Sequence, residues 1–256
     1  MGKGIMFFDI DGTLCRYGGR VTESVKEAFH RFHERGNIAY LCTGRSPADI
    51  GTDILNLGFE GIIGCMGAVI IDNGVVLQNE YIPYEMLEET VDALLQYKAA
   101  ALILGKDEVL RTEYIEASEL ETGVVCKVED LYRDGRLPKI SSFDIEYESF
   151  RETAPYINLL QKHSELVQYT DMTGQTRLRG VDKAKAIQKV LSLPKYRGKT
   201  SYAIGDSQND IEMLEQVDVG IAMGDAPEKT IACAQWQTAT VEEDGVCRAL
   251  EHFALV

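Results

Sequence analysis

The stretch that decides the fold lies near the amino terminus and reads Phe7-Phe8-Asp9-Ile10-Asp11-Gly12-Thr13-Leu14. The apolar run from Gly4 to Phe8 can fill both faces of a strand, which is typical of a buried strand in a parallel sheet. Residues two apart in a strand project to the same side, with Cα atoms about 7 Å from each other, so Asp9 and Asp11 can share one site. Because ligands of open α/β sheets bind at such carboxyl ends, the stretch predicts an acidic site at one edge of an α/β sheet.

Two carboxylates this close repel each other, and they persist only if a cation neutralises them or one of them keeps its proton. A hard divalent cation such as Mg²⁺ suits an all-oxygen site. A protonated carboxyl beside an ionised one would instead place a general acid next to a nucleophile. Aspartates that merely cap a turn are the alternative, and an isolated Asp-x-Asp would favour it. Three further segments favour a site.

The first of them follows a second apolar run, Ile38 to Cys42. Thr43-Gly44-Arg45 comes directly after this run, and Ser46 with Pro47 marks the start of a helix. A hydroxyl and neighbouring backbone N–H groups beside a helix start can bind a phosphate oxygen. The segment therefore indicates a phosphate contact.

Two later segments add a cation and further carboxylates. Lys183 falls in the first turn of an expected helix, where a positive charge opposes the helix dipole by up to about 1 kcal/mol, so an anion nearby would explain it. A solvated surface lysine is the alternative. Tyr202 to Gly205 is a further strand, and Asp206 at its end would complete an oxygen cage for a metal. Asn209 and Asp210 could orient Lys183 or waters on the metal.

The order of these segments resembles the haloacid dehalogenase superfamily of phosphohydrolases, and specifically its Cof-type sugar-phosphatase branch. The resemblance runs along nearly the whole chain and rests on these motifs: Asp9-Ile10-Asp11-Gly12-Thr13, Thr43-Gly44-Arg45, Lys183, Gly205-Asp206-Ser207-Gln208-Asn209-Asp210, Val219 to Ala226 and Glu243-Asp244-Gly245-Val246. Two positions depart from the family pattern. Met66 precedes Gly67-Ala68 where the family usually has asparagine, and Asp225 stands where asparagine is common. Both departures bear on substrate handling more than on the reaction.

The resemblance implies a Mg²⁺-dependent phosphoric monoester hydrolase of small metabolites, with sugar phosphates as the first expectation. Asp9 would attack phosphorus to give an aspartyl-phosphate, and Asp11 would act as general acid and then as general base. Mg²⁺ would be held by the Asp9 carboxylate, the Asp11 backbone carbonyl and Asp206, while Lys183 would complete the catalytic groups. The residues expected to bind phosphate or substrate are Thr43, Gly44, Arg45, Asn209 and Lys183, and those expected to support the site are Asp210, Gly12 and Thr13.

The expected fold class is α/β, with a Rossmann-like doubly wound parallel-sheet core and an inserted α+β cap domain. Residues 1–82 and 182–256 would form the catalytic core, and residues 83–181 the cap that recognises the substrate. Local patterns predict a helix over 22–35, a second helix after Ser46 and a hairpin around Asn73-Gly74. The cap residues Lys127, Arg177 and Arg179 could meet a polar substrate, although solvated surface charge is the commoner role.

Composition bounds the partners. The formal net charge is -15, which argues against a nucleic-acid partner because phosphate backbones are bound by clustered lysine and arginine. No apolar run approaches the roughly 20 residues that span a membrane, and the first strand begins without a signal peptide. The six cysteines show no paired zinc-ligand spacing and suggest a reduced, cytoplasmic protein. We expect a monomer or homodimer that binds a small phosphorylated substrate.

Two other functions stay open at this point. A phosphotransferase or phosphomutase on the same scaffold would return the phosphoryl group to a sugar instead of water. A phospho-acceptor similar to response-regulator receivers would also place acidic residues, threonine and lysine around Mg²⁺. Receivers, however, are much shorter and lack a cap.

Overall fold

The computed structural model describes residues 3–112, 126–127, 139–146, 154–169 and 173–256. Its strands are β1 (Ile5–Phe8), β2 (Ile38–Cys42), β3 (Gly61–Gly64), β4 (Val69–Asp72), β5 (Val75–Asn79), β6 (Ala100–Gly105), β7 (Val109–Arg111), β8 (Cys126–Lys127), β9 (Ile140–Glu146), β10 (Ser164–Gln168), β11 (Thr173–Leu178), β12 (Ser201–Gly205), β13 (Val219–Ala222) and β14 (Trp236–Gln237). Its helices are α1 (Glu23–Glu34), α2 (Thr52–Leu55), α3 (Tyr84–Gln96), α4 (Ala154–Leu160), α5 (Lys183–Leu191), α6 (Ile211–Gln216), α7 (Glu228–Cys233) and α8 (Gly245–His252).

The larger sheet has the strand order β14-β13-β12-β1-β2-β3-β4-β5 among the described residues. Its strands run parallel from β14 to β3, and β4 and β5 add an antiparallel edge. The central strand β1 lies between β12 and β2. The carboxyl ends of these three strands therefore meet at one edge of the sheet, at the point where the chain order reverses.

Helices cover both faces of this sheet, as a doubly wound fold requires. The alternate side chains of β1 point to opposite faces: Phe8 packs with Phe29 and Phe32 of α1, whereas Phe7 packs with Ile187 of α5. Because β1 is fully buried, each of its apolar side chains contributes about 1.5–3 kcal/mol by leaving water. The predicted α/β fold class with a parallel core sheet is confirmed.

A second sheet has the order β10-β11-β9-β6-β7-β8 among the described residues and is antiparallel except for the β7–β8 pair. One of its faces packs against α3 and α4, where Leu94 and Ile157 meet Phe143. From the other side, Leu104 packs against Val69 of the larger sheet. This second sheet is the cap that the fold class predicted, and the domain boundaries at 82/83 and 181/182 stay predictions.

Local predictions of the core elements were mostly correct. Thr22 caps α1, and the residues around Asn73 and Gly74 form the β4–β5 turn with positive φ angles of 46° and 77°. The helix expected directly after Ser46 is wrong in extent. Ser46 caps only a 3-10 turn over 47–49, because Ile50 adopts an extended conformation and ends it. The helix α2 begins later and is a single turn.

Candidate active site

The sheet edge described above gathers residues that are distant in sequence. Asp9 follows β1, Thr43 follows β2 and Asp206 follows β12. Since β1 pairs with both neighbours, the three residues stand side by side at the carboxyl ends of adjacent strands. Asp9 and Thr43 are buried.

Lys183 joins this group from the first turn of α5 and is only 1% exposed. Its Nζ donates to Asp9 Oδ1 at 2.9 Å, to Asn209 Oδ1 at 3.2 Å and to Asp210 Oδ1 at 2.6 Å. Burial favours the neutral amine, but Asp210 and Asp9 more than offset it and raise the pKa of Lys183 well above its ordinary value. Lys183 is therefore a fixed positive charge in contact with Asp9, and not a solvated surface lysine.

Asp210 is fully buried and has both carboxylate oxygens engaged. Its Oδ1 accepts from Lys183, and its Oδ2 accepts from the backbone N–H groups of Asp206 and Ser207, each at 3.1 Å. These contacts tie the loop after β12 to Lys183. Asp210 is thus a positioning residue, since its oxygens have little capacity left for a metal.

Asp9, Asp206 and Asp210 bring carboxylate oxygens within 4.8 Å of one another. The buried Asp206 Oδ1 has no hydrogen-bond partner among the described residues, so it is available to a cation. Gly12 makes room for this carboxylate: its φ is +78°, and a Cβ atom there would lie 2.4 Å from Asp206 Oδ2. Carboxylate oxygens are the ligands that hard divalent cations prefer, so Asp9 and Asp206 fit such an ion.

The electrostatics of this carboxylate group point the same way. Burial, followed by the negative charge of Asp210, raises the pKa of Asp9 well above its ordinary value and that of Asp206 to about 7. The cause is an excess of negative charge in a dry environment, because the single ammonium of Lys183 faces several carboxylates. A divalent cation would remove that excess.

Asp11 turns toward a different partner. Arg45 Nε donates to Asp11 Oδ2 at 2.7 Å and Arg45 Nη2 to Asp11 Oδ1 at 2.5 Å, and both side chains are more than four-fifths buried. The sequence predicted both residues in the site but not their mutual bidentate contact. As the Asp11 carboxylate faces Arg45, only its backbone carbonyl fits the predicted metal role.

The remaining predicted residues lie around these groups. The Thr43 hydroxyl accepts the backbone N–H of Arg45 at 3.1 Å, which leaves its own proton for a ligand. The buried Thr13 hydroxyl has no hydrogen-bond partner among the described residues. The Gly44 carbonyl accepts Gln175 Nε2 at 2.8 Å. The structure thus brings all the predicted site residues to one edge of the sheet.

Sequence reasoning missed the residues that the second sheet adds to the site. Gln175 of β11 contacts Gly44, and its Oε1 accepts the hydroxyl of Tyr169 at 2.6 Å. Asp144 of β9 has a buried Oδ1 without a hydrogen-bond partner among the described residues. Burial, then the negative charges of Asp49 and Asp11, raise the pKa of Asp144 to about 7. No sequence motif marks these positions.

Two of the cap cations considered from sequence, Arg177 and Arg179, bind elsewhere than at the site. Arg177 of β11 forms ion pairs with Glu212 of α6 at 2.7 Å and with Glu165 of β10 at 3.0 Å. It therefore links the second sheet to a helix that packs on the larger sheet. Arg179 donates to the backbone carbonyl of Gln161. The side chain of Lys127 lies outside the described residues.

The chain is similar in sequence to known phosphohydrolases along nearly its whole length. A family model described as haloacid dehalogenase-like hydrolase matches residues 6–250. The 5-amino-6-(5-phospho-D-ribitylamino)uracil phosphatase YcsE of Bacillus subtilis (strain 168) is 32% identical over 253 residues, covering 98% of this chain and 96% of YcsE. The HMP-PP phosphatase of Yersinia enterocolitica is 27% identical over 263 residues, covering 96% of this chain and 93% of that protein.

Solved structures agree on the architecture. The HAD subclass IIB sugar phosphatase BT4131 matches with a TM-score of 0.81 and 24% identity, covering 99% of this chain and 100% of that one. At this identity the likeness shows the fold, including the antiparallel second sheet beside the parallel-rich one.

Proposed function

Because the chain belongs to the haloacid dehalogenase-like hydrolase family, we propose that it is a Mg²⁺-dependent phosphatase that hydrolyses phosphate monoesters of small metabolites through an aspartyl-phosphate on Asp9. Sugar phosphates are the first substrates to consider. The observation that carries the proposal is the convergence of Asp9, Asp206 and Lys183, with Lys183 Nζ 2.9 Å from Asp9 Oδ1.

Asp9 is placed to act as the nucleophile. One of its carboxylate oxygens would form a bond to phosphorus while the bond from phosphorus to the ester oxygen breaks. Lys183 holds the carboxylate in one orientation and supplies positive charge beside the transferring group. When bound between Asp9 and Asp206, Mg²⁺ would neutralise part of the charge on the phosphoryl group.

Asp11 would manage the protons of both half-reactions. It would protonate the departing ester oxygen, and in the second half it would take a proton from the water that attacks the aspartyl-phosphate. That attack breaks the bond between phosphorus and Asp9 and releases inorganic phosphate. Thr43 and Arg45 would bind the phosphoryl oxygens, and Arg45 would have to leave Asp11 to do so.

The test is phosphate release from p-nitrophenyl phosphate by the full chain with Mg²⁺. Asp9→Asn should lower turnover by at least about a thousandfold, because the amide is a poor nucleophile. Asp92→Asn is the matched control, since Asp92 is exposed on α3, which packs on the face of the second sheet that is turned away from the larger sheet. Undiminished hydrolysis by Asp9→Asn would refute the nucleophile. With a hexose 1-phosphate, isomerised sugar phosphate without released phosphate would favour a mutase.

We also propose that the enzyme works in the cytoplasm as a monomer or homodimer. The cysteines whose side chains the structure describes are all free thiols, which fits a reducing compartment. Among the described residues, no helix combines the length and the apolar character needed to cross a bilayer.

A further inference from the structure

A second cavity opens beside the phosphate site. The cavity at Asp9 and Thr43 has a volume of about 80 Å³, which leaves room for a phosphoryl group and little more. The second cavity has about 640 Å³, within the range of binding sites for whole small molecules. Tyr17, Asp144, Tyr169 and Ser207 line both, so the larger cavity begins where the phosphoryl group would end. We call it the leaving-group cavity.

The walls of the leaving-group cavity are mostly apolar. Leu102 and Tyr169 line it from the cap, and Tyr17 and Pro227 line it from the core. Apolar and aromatic walls with a few polar groups are typical of sites that bind rings and not only polyols. The two tyrosines offer flat faces against which a planar group can pack.

Tyr169 is held in place before any ligand arrives. Its hydroxyl donates to Gln175 Oε1 at 2.6 Å and accepts from Asn209 Nδ2 at 3.3 Å. One of these partners belongs to the cap and the other to the core. The ring is therefore pre-positioned, which reduces the entropy lost when a ligand packs on it.

The charge of the cavity is one-sided. Asp144 and Glu146 line it, and no lysine or arginine does so among its described residues. A leaving group with its own carboxylate or second phosphate would find no lysine or arginine among the described residues of this lining, whereas a neutral or cationic group would not be repelled by Asp144 and Glu146.

Asp144 supplies a polar anchor at the junction of the two cavities. Its buried Oδ1 has no hydrogen-bond partner among the described residues. A buried oxygen of this kind is stabilised when a ligand brings a donor to it. A hydroxyl or N–H group near the phosphate ester would fill that role.

We propose that the leaving-group cavity selects phosphate monoesters whose alcohol part ends in a planar ring that is neutral or cationic. The inference rests on the proposed phosphatase function and narrows it. Phosphate esters whose alcohol part lacks a planar ring, or carries a further negative charge, would then be poorer substrates. Selection would come from burial of the ring against Tyr17, Tyr169 and Leu102, and from the lack of lysine and arginine among the described residues that line the cavity.

Three synthetic esters with the same primary alcohol chemistry test this directly: propyl phosphate, 3-phenylpropyl phosphate and 3-(phosphonooxy)propanoate. Leaving-group reactivity is similar in the three, so kcat/KM reports recognition. We expect kcat/KM for the phenylpropyl ester to exceed that of the propyl ester at least tenfold, since a phenyl ring leaves water. We expect kcat/KM for 3-(phosphonooxy)propanoate, which carries a free carboxylate, to be at least tenfold lower than that for propyl phosphate.

The outcomes separate the two proposals. Measurable hydrolysis without preference for the ring, or with preference for the carboxylate, overturns the cavity assignment and leaves the phosphatase function standing. If none of the three esters is hydrolysed and p-nitrophenyl phosphate is not hydrolysed either, the phosphatase function is overturned, and the inference falls with it.

Variants locate the effect. Leu102→Trp should fill the cavity and lower the phenylpropyl-to-propyl ratio of kcat/KM at least fivefold, whereas Leu55→Trp, the same exchange on the remote helix α2, should leave the ratio unchanged. If Leu102→Trp does not fold, Gln208→Trp introduces the same bulk from an exposed position on the core side of the cavity. A ratio that neither cavity variant changes would overturn the assignment of the ring to this cavity.

Discussion

Arg45 donates hydrogen bonds to both carboxylate oxygens of Asp11, at 2.7 Å to Oδ2 and 2.5 Å to Oδ1. The pair occupies the oxygens through which Asp11 would exchange a proton with a leaving group. A phosphoryl group offers Arg45 an alternative bidentate partner of higher charge. We propose that a bound substrate would replace this contact.

Arg45→Ala should raise the KM for a phosphate monoester about 10- to 100-fold, because a charge-assisted contact to phosphate contributes about 1.5–3 kcal/mol. Arg45→Lys should give an intermediate KM, since it keeps the charge but loses the planar fork. Steady-state kinetics with p-nitrophenyl phosphate measure both. A fall in kcat with KM unchanged would mean that Arg45 acts by holding Asp11 and not by binding substrate.

Because Gly12 has no Cβ, the carboxylate of Asp206 can approach the end of β1 closely. In Gly12→Ala the new Cβ would lie 2.4 Å from Asp206 Oδ2, so the carboxylate must move away from Asp9. We expect the Mg²⁺ concentration needed for half-maximal activity to rise at least tenfold. Metal titration of activity measures this, with isothermal calorimetry as a readout independent of turnover.

Gly198→Ala is the matched control for that change. Gly198 has nearly the same φ, +75° against +78°, but a Cβ there meets nothing within 4 Å. Both variants carry the backbone penalty of roughly 1–2 kcal/mol for a left-handed alanine, and Gly12→Ala adds the clash with Asp206 to it. Only Gly12→Ala should change the metal requirement, and an equal change in both would show that backbone strain alone is responsible.

The central part of the site could be predicted from sequence because each piece is local. Strand alternation places Asp9 and Asp11 on one side, and the apolar runs before Thr43 and Asp206 mark strands that must end at the same edge of a parallel sheet. The local pattern at Lys183 is compatible with a nearby anion or with a solvated surface lysine, and the resemblance to the haloacid dehalogenase superfamily is what assigned it to the site.

The cap contribution could not be predicted, because it depends on how two sheets dock. Gln175 reaches Gly44 across 131 residues of sequence, and Asp144 faces the site only because of the register of β9. A single slip in register would turn either side chain to the opposite face. Glutamine and aspartate within short strands give no local signal of that orientation.

Met66 stands where the family usually has asparagine, and the structure gives a physical meaning to that difference. The residue adopts φ 56° and ψ 30°, a left-handed conformation that asparagine tolerates better than other residues with side chains. The asparagine usual in the family would meet that backbone requirement. Methionine occupies the position at a conformational cost of about 1–2 kcal/mol, offset in part by its full burial.

A buried polar network under the edge of the core sheet links stability to pH. Asp72 is 8% exposed and accepts hydrogen bonds from the hydroxyls of Tyr40 and Tyr196 and from Lys195 Nζ. Burial opposes its charged form, but these hydrogen bonds more than offset burial and lower the pKa of Asp72. The ionised carboxylate thus contributes stability above the unfolded-state pKa of about 3.9, and that contribution is lost as the pH falls through the lower folded-state value.

Asp72→Asn should therefore lower the free energy of unfolding by about 1–3 kcal/mol at pH 7, because the buried donors lose their charged acceptor. The difference from the unsubstituted protein should begin to shrink as the pH falls below about 4, where the unfolded chain takes up a proton at this position, and should vanish only below the lower folded-state pKa. Urea denaturation from pH 7 down to pH 3 measures both curves. The exposed Asp92→Asn exchange on α3 should show little difference at any pH, and a constant Asp72→Asn deficit across the range would mean that packing of the residue, and not its charge, stabilises the network.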